Sequence, residues 1–150
     1  LLKRIDLFAE EGYADFKRND KKLSNDSIMT MSNLTHRILS SVDYNNVKQK
    51  RNQNFMWFQN QFKDINLLNI DIVKSSDLSP LIYPLLLNKP KLREKLISEK
   101  IYIPQYWNNV LFWTSIDDFE NFLTKHLIAL PIDQRINQEK MTKITNSINN

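Results

Sequence analysis

The sequence predicts an α/β chain of the α+β kind: a small sheet of about three to four strands covered by helices and preceded by N-terminal helices. Three observations lead there. Apolar residues recur three and four apart through much of the first 62 positions. From residue 67 onward, short apolar runs and helical stretches follow the order strand, strand, helix, strand, helix, strand, helix. Two of those runs, Ile101-Tyr102-Ile103-Pro104 and Leu127-Ile128-Ala129-Leu130-Pro131, end in a proline, as strands handing over to loops do. Together these predict a helical lead-in over 1–42 and a small α/β domain over 43–150.

In the lead-in, Leu2, Ile5, Phe8, Ala9 and Tyr13 have helical spacing and predict a helix to about residue 16. The polar stretch 17–26 predicts a loop. Ser32 caps a short helix through Leu39, with Leu34, Ile38 and Leu39 turned inward. Asp43 caps a longer helix to about Phe62, whose inward stripe is Tyr44, Val47, Arg51, Phe55, Phe58 and Phe62.

Strands are expected at 67–70 and 81–87, and Pro84 confines the second to a sheet edge or a bulge. Asn88-Lys89-Pro90 starts a helix that turns Leu92, Leu96 and Ile97 inward and ends near Glu99 or Lys100. A strand at 101–103 follows. Ser115 and Asp118 form a capping-box-like start for a helix to about Lys125 that buries Phe119, Phe122 and Leu123. After a last strand at 127–130, Asn137 caps a terminal helix with Met141, Ile144 and Ile148 on one face.

Composition limits function. With 150 residues, three Trp, eight Phe and five Tyr, the chain carries enough apolar material for one core without staples. The absence of cysteine excludes disulfides, thiolate catalysis and cysteine-ligated zinc, and predicts a cytoplasmic location. A single glycine, Gly12, excludes phosphate-cradling loops of the P-loop or dinucleotide-binding type. The net charge of +4 comes from 21 basic and 17 acidic residues that are well mixed, so no nucleic-acid partner is expected. No apolar run has the length of a membrane span, and no membrane partner is expected.

Few side chains carry chemistry. His36 and His126 lack ligands or partners at workable spacing and are expected to be structural. The carboxylate pair Asp117-Asp118 is explained by the helix N-terminus it precedes. Tyr102, Tyr106, Trp107, Phe112 and Trp113 cluster around a strand end, where Pro104 pushes Tyr106 and Trp107 into a loop. Arg135 follows a buried strand; such an arginine either clamps a carboxylate or phosphate through two parallel hydrogen bonds or pairs with Asp133 or a helix end.

Several segments resemble, in order, the DegT/DnrJ/StrS family of fold-type-I pyridoxal-phosphate enzymes, the sugar aminotransferase-like proteins. They are Met31-Ser32-Asn33-Leu34-Thr35, Val42-Asp43-Tyr44, Arg51-Asn52-Gln53-Asn54-Phe55, Tyr83-Pro84, the Leu92-Arg93 helix, Ile101-Tyr102-Ile103-Pro104 with Trp107, and Leu130-Pro131-Ile132-Asp133-Gln134-Arg135. The resemblance covers about 28–148 and implies the C-terminal small domain of an aspartate-aminotransferase-like fold. It implies pyridoxal phosphate in the full-length enzyme, none in this chain alone, and no catalytic residue here, because the cofactor lysine belongs to a large cofactor-binding domain. A start at Leu1-Leu2 agrees with a fragment. The resemblance points to Tyr102, Trp107 and Arg135 as substrate-side residues, and to the large domain and a second copy in a homodimer as partners. The alternative expectation is a stand-alone binding or assembly module that keeps the small-domain fold without catalysis.

Overall fold

The computed structural model describes residues 3, 6, 7, 10–23, 26–70 and 79–150. Its elements are α1 (Tyr13–Leu23), α2 (Asn33–Ser40), α3 (Tyr44–Phe62), β1 (Ile82–Leu86), α4 (Leu92–Ser98), α5 (Val110–Trp113), α6 (Phe119–His126), β2 (Leu127–Pro131) and α7 (Gln138–Asn149). The architecture is α+β, and the chain separates into two compact units, Leu1–Val42 and Asp43–Asn150.

In the first unit, Leu2, Ile5, Phe8 and Ala9 of the expected first helix lie outside the described residues. The expected loop at 17–26 is instead helical through Leu23. Lysine and arginine are good helix formers, and local pairs support them here. The Lys17 ammonium sits 4.9 Å from the Tyr13 ring centre, Arg18 bonds Asp15 three residues earlier, and Lys21 and Lys22 complement the C-terminal dipole. Ser32 caps α2 as expected, accepting from the Thr35 amide at 3.1 Å. Leu34, Ile38 and Leu39, however, are exposed rather than turned inward. Among the described residues of this unit, neither helix has a buried residue.

The second unit is organised around α3. Asp43 caps it by accepting from the Asn46 amide at 3.0 Å. Of the expected stripe, Phe55, Phe58 and Phe62 are buried, while Tyr44 at the first turn is exposed. The three rings surround Tyr83 of β1 at centroid distances of 5.1, 5.9 and 6.3 Å, and Tyr83 has no exposed surface. Each such ring contributes about 1.5–3 kcal/mol by leaving water.

Among the described residues the sheet has two strands, β1 and β2, paired antiparallel with Tyr83 opposite Leu130 and Pro84 opposite Ala129. Both are edge strands, where a missing proline N–H is tolerated. The stretch 67–70 is not a strand, because one side chain does a neighbour strand's job. Asn66 Nδ2 donates to the Pro84 carbonyl at 2.9 Å, and its Oδ1 accepts from the Leu86 and Leu68 amides at 3.0 and 3.1 Å. One backbone bond, from the Leu67 amide to the Leu86 carbonyl, completes the contact.

The stretch 101–103 has strand-like alternation, with Ile101 and Ile103 buried and Tyr102 exposed, but belongs to no ladder. It continues directly from the end of α4. The Ile101 amide bonds the Leu96 carbonyl at 2.8 Å and the Lys100 amide bonds the Ile97 carbonyl at 3.0 Å, a Schellman pattern with Lys100 at φ 64°. Leu96 and Ile101 supply its accompanying apolar contact in the core.

Helix α4 begins at Leu92, later than Asn88-Lys89-Pro90 suggests, with Lys91 left-handed at its N-cap. Leu92 and Leu96 are buried one turn apart, and Ile97, rotated a further residue round the helix, is exposed. The lysines of this region cap α7: Lys89 and Lys95 donate to the carbonyls of Ile148 and Ser147, each at 2.8 Å. Helix α7 itself is capped by Asn137 and buries Met141, Ile144 and Ile148, as expected.

Helix α6 is turned from its expected orientation. Asn121 and Thr124 are buried, Phe122 and Leu123 are half-buried and Phe119 is exposed. Polar bonds on the buried face accompany this rotation: Asn121 Nδ2 donates to Thr114 Oγ1 at 3.2 Å and Gln105 Nε2 to the Thr124 carbonyl at 3.3 Å.

Lys100 occupies a backbone conformation that disfavours any Cβ. The substitution Lys100→Gly is expected to raise unfolding free energy by about 0.5–1 kcal/mol and Lys100→Val to lower it, measured by urea denaturation.

Candidate functional site

The loop between β2 and α7 begins with Ile132, fully buried, and turns through Asp133-Gln134-Arg135-Ile136. The Ile136 amide closes the turn on the Asp133 carbonyl at 3.1 Å. Asp133 Oδ1 also accepts from the Arg135 amide at 2.9 Å, an aspartate holding its own turn. A backbone turn of this kind leaves carbonyls facing inward, and buried carbonyls need donors.

Asn54 supplies them. Its side chain is buried on α3 beside Phe55, and Nδ2 donates to the carbonyls of Asp133 at 3.1 Å and Ile132 at 3.2 Å, with Ile136 at 3.5 Å. The amide thus ties the middle of α3 to the loop some eighty positions later. One helical turn earlier, the Arg51 charge also acts on Asp133. Asp133 is held below the usual carboxylate range, chiefly by the hydrogen bond from Arg135 and further by the Arg135 and Arg51 charges, against a smaller opposing effect of burial.

Arg135 meets Asp133 in a fork: Nε to Oδ1 at 2.8 Å and Nη2 to Oδ2 at 3.3 Å. The pairing raises the guanidinium above its ordinary value. Asp133 is mostly covered, whereas Arg135 is exposed. The carboxylate therefore fixes the orientation of a guanidinium at the surface. Its remaining donors have the planar geometry that recognises carboxylate or phosphate.

Trp107 is 60% exposed and left-handed, with φ 55°. That conformation costs a non-glycine residue about 1–2 kcal/mol. It is stabilised locally by the Val110 amide, which bonds the Trp107 carbonyl at 2.8 Å to open α5, and by the Tyr106 ring at 5.6 Å. Tyr106 in turn packs against the core. Tyr102 is exposed between the buried Ile101 and Ile103. The ring contact of Trp107 is to Tyr106 and the ion pair of Arg135 is to Asp133, so these contacts do not join the candidate residues to one another.

The two histidines lie on α6 and α2. His126 stacks on Phe122 at 4.5 Å, and His36 lies on the exposed surface of α2. Among the described residues no three His, Cys, Asp or Glu side chains group closely enough to hold a metal ion. A shallow depression lined by Asn45, Lys48, Gln49, Asn52, Gln53 and Met56 follows the outward side of α3. A second buried polar network links Tyr83, whose hydroxyl donates to Gln59 Oε1 at 3.0 Å, with Asn66 Nδ2 at 3.3 Å. Burial pushes the Tyr83 phenol above its ordinary value. Compared with protein-family models, curated proteins and solved structures, the chain matches none.

Replacing Asn54 takes this donor from the buried carbonyls of Ile132 and Ile136, while Asp133 keeps the Ile136 amide; each carbonyl left unbonded costs about 1–3 kcal/mol. Asn54→Leu is expected to lower unfolding free energy by about 2–4 kcal/mol in urea denaturation and to speed exchange of the Ile136 amide. Because the folded-state acidity of Asp133 is increased, its contribution is present above the unfolded carboxylate value of about 3.9 and is lost as pH falls through the lower folded value. The stability difference between the wild type and Asp133→Asn should therefore shrink as the pH drops below about 4 in an acid denaturation series.

Proposed function

We propose that this chain is the C-terminal small domain of a DegT/DnrJ/StrS-type aminotransferase, contributing a wall of the substrate cleft rather than the reacting groups. One observation supports this reading beyond the order of the motifs. Two of the segments, Arg51-Asn52-Gln53-Asn54-Phe55 and Leu130-Pro131-Ile132-Asp133-Gln134-Arg135, are joined by the Asn54 amide. A third, Tyr83-Pro84, pairs with Leu130 and Ala129 beside them. These three segments therefore pack together within the second unit.

In this reading the cofactor is not held by the residues of this chain. Pyridoxal phosphate requires a lysine amine that can form an imine and a partner for the pyridinium nitrogen. Lys89 and Lys95, the lysines bonded into the core unit, hold the carbonyls of α7, and Asp133 holds Arg135. In this reading the imine chemistry belongs to a large domain outside these 150 residues. The keto-sugar or similar carbonyl acceptor is met on this side by Tyr102, Trp107 and Arg135. Arg135 would bind an anionic group of the substrate, held in aim by Asp133, and the two aromatic side chains would pack against its apolar or ring surfaces. A homodimer and a cytoplasmic location accompany the proposal.

The genomic frame upstream of Leu1 tests the first part: the proposal expects an in-frame cofactor domain, and a start codon adjoining Leu1 would contradict it. In the full-length protein, Trp107→Ala and Arg135→Ala should each raise KM for the carbonyl acceptor about tenfold, equivalent to about 1.4 kcal/mol, with cofactor occupancy unchanged. An unchanged KM in both variants would remove these residues from the cleft.

A further inference from the structure

We propose that the aromatic face formed by Trp107, α5 and the turn into α6 docks a cationic amphipathic segment of a partner protein. Within thirteen residues, Trp107, Phe112, Trp113, Ile116 and Phe119 are all exposed; Phe112 is 86%, Trp113 74% and Ile116 76% accessible. Single exposed apolar residues are ordinary, but five large ones in one short stretch constitute a patch that water solvates poorly. The patch is anchored at its two ends, Trp107 and Phe119. Trp107 meets Tyr106 at a tilt, 5.6 Å between ring centres, and Tyr106 packs on the core; Phe119 lies 6.5 Å from Phe122, which stacks on His126. Rings held in place in this way lose little freedom when a partner covers them.

Charge identifies the partner. The chain has 21 lysines and arginines, yet none falls in 101–124. The charged residues of that stretch are Asp117, Asp118 and Glu120, all exposed and interleaved with Ile116 and Phe119. Asp118 is engaged at the N-terminus of α6 by the Ser115 amide, which leaves Asp117 and Glu120 as the outward acidic rim. An apolar centre with an acidic border complements a segment that presents aliphatic or aromatic side chains flanked by lysine or arginine. The same border repels anionic lipid surfaces and nucleic-acid phosphates. The inference rests on this local composition and exposure; Trp107 at its edge is shared with the aminotransferase reading, whereas Phe112, Trp113, Ile116 and Phe119 are not.

The test is calorimetric titration of the 150-residue chain with a synthetic helical peptide of leucine and lysine, about 18 residues long, and with its leucine–glutamate counterpart. Saturable one-to-one binding of the lysine peptide is expected, with the glutamate peptide at least about tenfold weaker. The double variant Phe112→Ser/Trp113→Ser should lose about tenfold or more in affinity. Asp117→Lys/Glu120→Lys should reverse the preference between the peptides. All four positions are exposed, and circular dichroism confirms that the variants fold; Leu34→Ser, on the exposed face of α2, should leave binding unchanged. Equal affinity for the two peptides, no binding, or binding insensitive to the Phe112/Trp113 change would overturn the proposal. So would preferential adsorption to phosphatidylglycerol vesicles, or self-association of the chain that the Phe112/Trp113 change abolishes.

Discussion

A turn that carries its carbonyls into a protein interior needs a donor there, and in this chain the donor is the amide of Asn54. It lies between Arg51 and Phe58 on the face of α3 that meets the core, and it bonds the carbonyls of Ile132, Asp133 and Ile136. On one side of it, Phe55, Phe58 and Phe62 close around Tyr83. On the other, the loop it holds carries Asp133, which orients Arg135 at the surface. Removal of apolar area from water supplies most of the driving force. The amide decides where the loop can rest, because unbonded buried carbonyls penalise any other seating.

The same device recurs. Asn66 takes the place of a neighbour strand along β1, and Asn121 ties α6 to Thr114. Lys89 and Lys95 close the C-terminus of α7. With one glycine in the sequence, turns and helix ends are completed by side-chain amides, by lysine amines and by Lys91, Lys100 and Trp107 in the left-handed region. The turns and helix ends of such a fold depend on specific side-chain hydrogen bonds. Its weak points under mutation are therefore polar as well as apolar.

Elements whose signal was periodic were legible. The Phe55-Phe58-Phe62 stripe, the apolar run at 127–130, the Met141-Ile144-Ile148 face and the Asp43, Ser32 and Asn137 caps each announce themselves through spacing or residue type. What was not legible depends on which partner each segment meets, near or remote in sequence. Alternation at 101–103 reports burial, and burial arose without a ladder because the C-terminus of α4 delivers Ile101 and Ile103 to the core. The hydrophobic run at 67–70 likewise met a side chain, Asn66, instead of a strand. Phe119 marked the wrong side of α6 because Asn121 and Thr124 made the inward bonds. Asn54 had a detectable signal: a polar residue at helical spacing from Val47 and Phe58, on a largely apolar stripe, asks what it bonds. Arg135 was recognisable as a clamp or an ion-pair partner, and its fork on Asp133 realises the second while leaving donors for the first.

The central claim concerns one side chain, so the most direct measurement is hydrogen exchange of the Asn54 side-chain amide, followed by NMR beside those of Asn108 and Asn109. The account predicts that the Asn54 protons are protected by close to the free energy of global unfolding, while the exposed loop asparagines exchange freely. Exchange of Asn54 at the rate of Asn108 would show that the loop is seated by something else and would contradict the account.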